Sequence, residues 1–230
     1  MKLSVIMPVH NEVETINEII ERVLNISVVY ELIIIDDGSQ DGTIEAVEKI
    51  SSDKIKIIKH ETNKGKGVAV RRGFDAAGGD IVVIQDADLE YDPQDFTRLI
   101  KPFEDNGANV VYGVRSLETQ RIIMRLGNQF VTWVTNIIYG QQLRDMETCY
   151  KMMKREIAQK LDLECQGFDI EAEMTSKILQ QEYQIIQLPI NYTARYENKK
   201  LSPLDGIPTI KALLKYRNWQ PSLESVERES

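Results

Sequence analysis

Cysteine is scarce in this chain: Cys149 and Cys165 are the only two among 230 residues, and their separation matches no metal-ligand spacing. A disulfide framework or a structural zinc is therefore not expected, and two core thiols in a reducing compartment fit better. Long apolar runs are missing as well. Stretches such as IVVI and LIII fall far short of the roughly 20 residues needed to cross a bilayer, and the start MKLSVIMPVHNE turns polar too early for a secretory signal. The expectation is a cytoplasmic protein, soluble or peripheral at the inner face of the membrane. Positive charge is outnumbered, 28 Lys and Arg against 36 Asp and Glu, for a formal net charge of −8. That balance argues against a general nucleic-acid binder. The basic residues are instead gathered at 115–125 and 195–200, and there are no internal repeats or low-complexity linkers.

What is present is ordinary globular composition, 42% hydrophobic and 28% charged, enough for one large core or a core with a smaller appendage. From residue 1 to about 113, β-rich apolar runs alternate with segments of helical period: LSVIMPV then 13–24, ELIIID then 43–50, KIKIIK then 67–77, DIVVIQ then 94–104, and NVVYG. Strands apolar on both faces predict a parallel sheet covered by helices on each side and wound by right-handed crossovers, an α/β class. Ligand crevices in such sheets lie at the carboxyl ends of the strands. PVHNE, DDGSQDGT, NKGKG and DADLE follow the first four strands in turn, so one crevice can hold all four.

Beyond 113 the pattern changes. Residues 122–138 place Ile123, Leu126, Phe130, Val134 and Ile137 on one face and Arg125, Asn128, Thr132 and Thr135 opposite, an amphipathic helix that either faces the core or docks on a membrane interface. A strand in TCYKMMK, a helix over about 169–182, the strand IIQLPINYTA, a basic loop RYENKK and a helix near 205–218 follow, with a disordered tail expected over 219–230. The expected organisation is one domain over 1–218, with a ligand-binding half at 1–113 and a second half at 114–218.

In QDADLEYDP, residues 85–93, three acids stand at alternate positions directly behind the apolar run IVVI. Asp86 and Asp88 share a face in extended geometry, with Glu90 near if the chain turns. Carboxylates that close repel and raise one another's pKa unless a cation neutralises them. A hard divalent ion suits such oxygens, and Mg2+ or Mn2+ commonly binds one or two carboxylates together with substrate phosphates; a solvated acidic loop is the plain alternative. An EF-hand is rejected, because its sixth and twelfth positions would be Tyr91 and Thr97. GKGVAV at 65–70 lacks both the third glycine of a dinucleotide fingerprint and the Ser or Thr of a P-loop. Its glycines permit close backbone approach and Lys66 adds a positive charge at a helix start, although a plain helix start explains the stretch as well. DDGSQDGT is equally ambiguous, since Asp, Gly and Ser mark turns and Asp41 can cap a helix.

In their order and spacing, PVHNE, DDGSQDGT, NKGKG and DADLE together resemble the family 2 inverting glycosyltransferases of GT-A fold, in which a DxD-type motif binds the divalent ion held by the diphosphate of a nucleotide sugar. YGVR at 112–115, the segment at 121–139, RDMETCYKMMKRE at 144–156, GFDIEAE at 167–173 and RYENKKL at 195–201 are similar to the dolichol-phosphate mannose synthase branch, whose acceptors are polyprenyl phosphates. His10, Met146, Glu147 and Cys149 depart from the usual types of that branch, which leaves the sugar and nucleotide open.

The resemblance implies a nucleotide-sugar pocket lined by Pro8, His10, Glu12, Ile35, Asp37, Lys66, Asp86, Arg195 and Lys200. Asp86, Asp88 and Glu90 would hold Mg2+ or Mn2+, and Arg195, Lys199 and Lys200 would form a basic loop closing on the diphosphate. Arg115, Arg121 and Arg125 are the candidates to grip the acceptor phosphate, because guanidinium matches phosphate bidentately. Asp88, Arg115 and Asp145 are the catalytic candidates, Asp145 by orienting the acceptor or sugar. A membrane surface is the expected partner, with a membrane-anchoring protein or a second copy as further candidates. Two rivals stay open: transfer to a saccharide hydroxyl with Asp145 or Glu147 as base, and a non-catalytic nucleotide-sugar-binding subunit.

Overall fold

The computed structural model describes residues 1–195 and 206–221. Lys199, Lys200 and most of the expected tail lie outside the described residues. Seven strands form one sheet: β1 Leu3–Val9, β2 Val29–Asp36, β3 Ile55–Lys59, β4 Ile81–Ile84, β5 Val110–Arg115, β6 Lys151–Lys154 and β7 Ile185–Ile190, in the spatial order β3-β2-β1-β4-β6-β5-β7. All neighbours run parallel except β6, which lies antiparallel to both β4 and β5. The largely parallel sheet was legible in the doubly apolar strands: Leu3, Val5, Ile6 and Met7 of β1 and all four residues of β4 are fully buried.

The helices are α1 Ile16–Leu24, α2 Thr43–Glu48, α3 Lys66–Ala76, α4 Phe96–Leu99, α5 Lys101–Asn106, α6 Ile122–Tyr139, α7 Arg155–Lys160, α8 Ile170–Gln180 and α9 Gly206–Lys215. The single helix expected over 94–104 is instead a capped 3-10 turn at Pro93–Asp95 followed by α4 and α5. Proline explains the break: Pro102 has no N–H to continue the ladder and fits only the first turn of a new helix. The expected strand over 185–194 ends at Ile190, and Tyr192 makes one isolated bridge to Tyr91.

The amphipathic helix forms as α6, but its orientation is decided by the fold. Val131, Thr132 and Thr135 are its buried residues, whereas Ile122, Ile123, Leu126, Phe130, Trp133 and Ile137 are between 52% and 77% exposed. The core-facing alternative is thereby corrected: the apolar stripe points outward. Among the described residues no helix is long and apolar enough to cross a membrane. A small second core of Val131, Leu143, Met146, Ala172, Ala212, Leu213 and Tyr216 joins α6, α8 and α9. The main core takes residues from both sides of position 113, such as Val83 and Met152.

Candidate active site

The carboxyl ends of β1, β2 and β4 sit side by side, as the register Val9 with Asp36 and Ile6 with Ile84 requires. β4 has four residues and all are buried, so the chain leaves the sheet at Gln85 and delivers Asp86 and Asp88 to a cleft of about 300 Å³. Leu89 then adopts φ +62°, a left-handed conformation rare outside glycine and asparagine. The turn brings the Glu90 N–H to Asp88 Oδ1 at 3.1 Å. It also commits the Glu90 side chain: Oε2 accepts from the Tyr192 hydroxyl at 2.8 Å and Oε1 from the Arg195 N–H at 2.7 Å. Glu90 thus ties the acidic turn to the chain entering the 195–201 segment.

The acidic crowding has the expected electrostatic consequence. Burial first, then the charges of Asp86 and Glu90, push the Asp88 carboxyl up to about 7, against the Glu90 N–H and Arg195. Lys66 answers part of it, with Nζ 2.8 Å from Asp86 Oδ1 and 3.3 Å from Glu171 Oε1. Burial works against the Lys66 charge, yet Asp86 and Glu171 outweigh it and keep the ammonium protonated well above its ordinary range.

The glycines around Lys66 have a different use from the one expected. A Cβ on Gly65 would lie 2.3 Å from the Gln166 carbonyl oxygen, and one on Gly67 would lie 2.1 Å from that of Cys165. They let the start of α3 pack against the 165–166 backbone. The helix N-terminus offers few open donors, since the Gly67 N–H bonds Gln166 O while the Lys64 and Gly65 N–H groups bond the Asp37 carboxylate.

Pro8, His10, Glu12, Asp37 and Arg195 line the same cleft. His10 donates from Nδ1 to the Asp37 carbonyl at 2.9 Å. Asp37 Oδ1 also bonds His60 Nδ1 at 2.7 Å, so this carboxylate serves the 60–65 loop first. Glu12 receives both terminal nitrogens of Arg195, at 3.0 and 3.3 Å. Ile35 does not belong to the cleft. It is fully buried in β2, with its Cδ1 under Gly73 of α3, so the pocket expectation for it is corrected to a core role.

On the opposite wall, Arg115 ends β5 and lines the cleft. Asp145 accepts from Arg115 Nε at 2.7 Å, Nη2 at 2.8 Å and the Arg115 backbone N–H at 3.1 Å. Asp145 does not border the cleft, and its carboxylate is closed by the guanidinium. It positions Arg115 instead of orienting a ligand, which corrects the expectation. Of the five guanidinium N–H donors, three remain beyond those two bonds. Arg121 and Arg125 are exposed and stand outside the cleft; the residues of α6 that reach it are Met124 and Asn128.

Sequence reasoning gave no site role to Glu171, Phe168 or Tyr192, all of which line the cleft. GFDIEAE contained the first two, and an acid in the first turn of a helix was the available signal. Glu147 also borders the cleft. Burial first, with Glu171 and Asp145, pushes its carboxyl up to about 7, against Lys151 and Arg115.

No cluster of three His, Cys, Asp or Glu side chains able to hold a metal occurs among the described residues. The three-carboxylate ligand set is therefore corrected, because Glu90 faces Tyr192 and Arg195. Asp86 and Asp88 still fit a hard cation: both are oxygen donors in one cleft, and the positive charge of Arg195 does not offset the burial and like charges that hold the Asp88 carboxyl up. Two carboxylates completed by ligand phosphates is a common arrangement for such ions.

The mixed seven-stranded sheet with its cleft at the carboxyl edge matches the GT-A glycosyltransferase fold. Residues 4–162 match the model of Glycosyl transferase family 2, and the chain belongs to that family. It is 26% identical over 242 residues to a dolichol-phosphate mannosyltransferase of Pyrococcus furiosus, covering 100% of this chain and 68% of that protein. It is 25% identical over 232 residues to a polyprenol monophosphomannose synthase of Mycolicibacterium smegmatis, covering 94% of this chain and 85% of that one. The structure of glucosyl-3-phosphoglycerate synthase from Mycobacterium tuberculosis, in complex with Mn2+, UDP-glucose and phosphoglyceric acid, superposes with a TM-score of 0.75 at 22% identity, covering 96% of this chain and 81% of that one. At that identity the likeness is one of fold.

Proposed function

We propose that the protein transfers a sugar, with inversion, from a nucleotide donor to a polyprenyl phosphate at the cytoplasmic face of a membrane. Mannose from GDP-mannose is the first donor to test and glucose from UDP-glucose the second. The observation that carries this reading is Arg115, held by Asp145 with three N–H donors left over, in the same cleft as Asp86 and Asp88. The names of the Pyrococcus and Mycolicibacterium relatives support the acceptor class.

In this reading Asp86 and Asp88 hold Mg2+ or Mn2+ together with the donor diphosphate. A bound divalent ion would screen the diphosphate and stabilise it as leaving group. Pro8, His10, Glu12 and Asp37 flank the nucleoside. Arg195 exchanges its Glu12 partner for the diphosphate when the donor enters. A prenyl phosphate oxygen is already anionic at neutral pH, so it attacks the anomeric carbon without a strong base, and alignment by Arg115 carries the step. Asp145 is closed off by Arg115, which removes one of the two bases the hydroxyl-acceptor rival relied on.

The lipid surface is the occupant assigned to the exposed face of α6. Arg121 and Arg125, both exposed at the start of the helix, suit anionic headgroups. The same helix borders the cleft through Met124 and Asn128, so docking would set the cleft beside a lipid-borne acceptor. The decisive experiment mixes GDP-mannose or UDP-glucose, Mn2+ and a short-chain prenyl phosphate. Release of nucleoside diphosphate with formation of the prenyl-phospho-sugar is expected. Donor binding without turnover would favour a binding subunit, and transfer only to saccharide hydroxyls would favour the other rival.

A further inference from the structure

The segment RDMETCYK, residues 144–151, carries Asp145, Glu147 and Lys151, of which Glu147 lines the cleft while the other two are engaged within the protein. Asp145 is closed by Arg115. Lys151, fully buried, donates to Met146 O, Thr148 O and Glu171 Oε2, which uses all three protons of an ammonium. Both cations act on Glu147 through their charge, but neither makes a hydrogen bond to it among the described residues. Its Oε1 is buried without a hydrogen-bond partner among the described residues, although the side chain lines the cleft with Lys66, Arg115 and Glu171. A buried oxygen acceptor without a donor is unfavourable, so this position is built for a donor that arrives with the ligand.

The chemistry of the ligand narrows what that donor is. Burial pushes the Glu147 carboxyl up to about 7: its ionised form repels phosphate oxygens, whereas a hydroxyl can donate to the ionised form and accept from the neutral one. The nucleoside belongs to the opposite wall, formed by the ends of β1 and β2. Sugar hydroxyls are the remaining donors. Resting on the nucleotide-sugar reading above, we infer that Glu147 accepts hydrogen bonds from hydroxyls of the sugar being transferred and thereby selects which sugar is accepted. It is a binding and specificity residue beside Arg115, and no proton transfer is required of it.

Isothermal titration with GDP, GDP-mannose, UDP and UDP-glucose in Mn2+ separates the contributions. For Glu147→Ala, nucleoside diphosphate affinity should stay within about twofold, while affinity for the sugar-bearing form of the preferred nucleotide falls about tenfold, the size of a lost hydrogen bond to a charged group. Glu147→Gln keeps one acceptor oxygen and should recover part of the loss. The melting temperature of ligand-free Glu147→Ala should not drop, because no internal bond is removed; a large drop would mark a structural role and overturn the inference. A wild-type protein that binds a nucleotide sugar which Glu147→Ala binds equally well overturns this inference alone. A wild-type protein that binds none of the four overturns the donor reading and this one with it.

Discussion

α1 and α6 are both amphipathic, and they are mounted in opposite senses. α1 buries its apolar face, with Ile16, Ile19, Ile20 and Val23 at 1% exposure or less. α6 buries Val131 together with Thr132 and Thr135 and leaves Phe130 and Trp133, stacked with ring centroids 6.0 Å apart, in the open. Periodicity shows that a helix has two faces. It does not show which face the protein keeps, because the missing partner of the apolar face can be the core or a second apolar phase. The buried hydroxyls of this mounting are bonded, Thr135 Oγ1 donating to Val131 O at 2.9 Å and Thr132 Oγ1 accepting from the Met146 N–H at 3.1 Å, while Val131 packs into the second core.

The sharpest way to break this comparison is to truncate one apolar residue on each helix. Ile19→Ala opens a cavity in a closed core and should lower unfolding stability by about 2–5 kcal/mol. Leu126→Ala removes a side chain 59% exposed and should stay within about 0.5 kcal/mol. Urea denaturation of both variants decides it, and equal losses would mean that α6 is covered by protein in solution.

The next effect is on lipid binding. Each large side chain fully buried contributes about 1.5–3 kcal/mol, so Phe130→Ala with Trp133→Ala should reduce partitioning onto anionic vesicles at least about tenfold. Arg121→Ser should reduce it less, by about fivefold on the scale of roughly 1 kcal/mol per basic residue, and this difference should fade with salt. Co-sedimentation with vesicles measures both. Undiminished binding by the double variant would remove the membrane from the role assigned to α6.

The same contrast marks what the sequence makes legible. Elements whose partner is the core were readable: β1, β2 and β4 as doubly apolar runs, and the cleft as four polar motifs at neighbouring strand ends. Pairings across long separations were not. Nothing near Asp145 announces that Arg115, 30 residues earlier, takes both of its oxygens, or that Glu90 turns to Tyr192 and Arg195, more than 100 residues later. Carboxylates that look alike in the sequence therefore divide into those that face ligand and those that hold another side chain. Ile35 failed for the opposite reason, since a strand-end position adjacent to the site can still point into the core.

The finest test lies on the buried side of α6, where two threonines of similar burial should respond differently to the same substitution. Thr135 is a donor to Val131 O, a carbonyl that a helix already serves through its own backbone ladder. Thr135→Val removes a redundant bond and keeps the shape, so the expected cost is under about 1 kcal/mol. Thr132 is an acceptor for the Met146 N–H, which leads into the segment carrying Asp145 and Glu147. Thr132→Val strands that buried N–H, and the expected cost is about 1–3 kcal/mol. Hydrogen exchange at Met146 should accelerate in Thr132→Val and stay unchanged in Thr135→Val. Equal exchange in the two variants would show that the polar face of α6 is a passive filler and that the acceptor side of the cleft is positioned by something else.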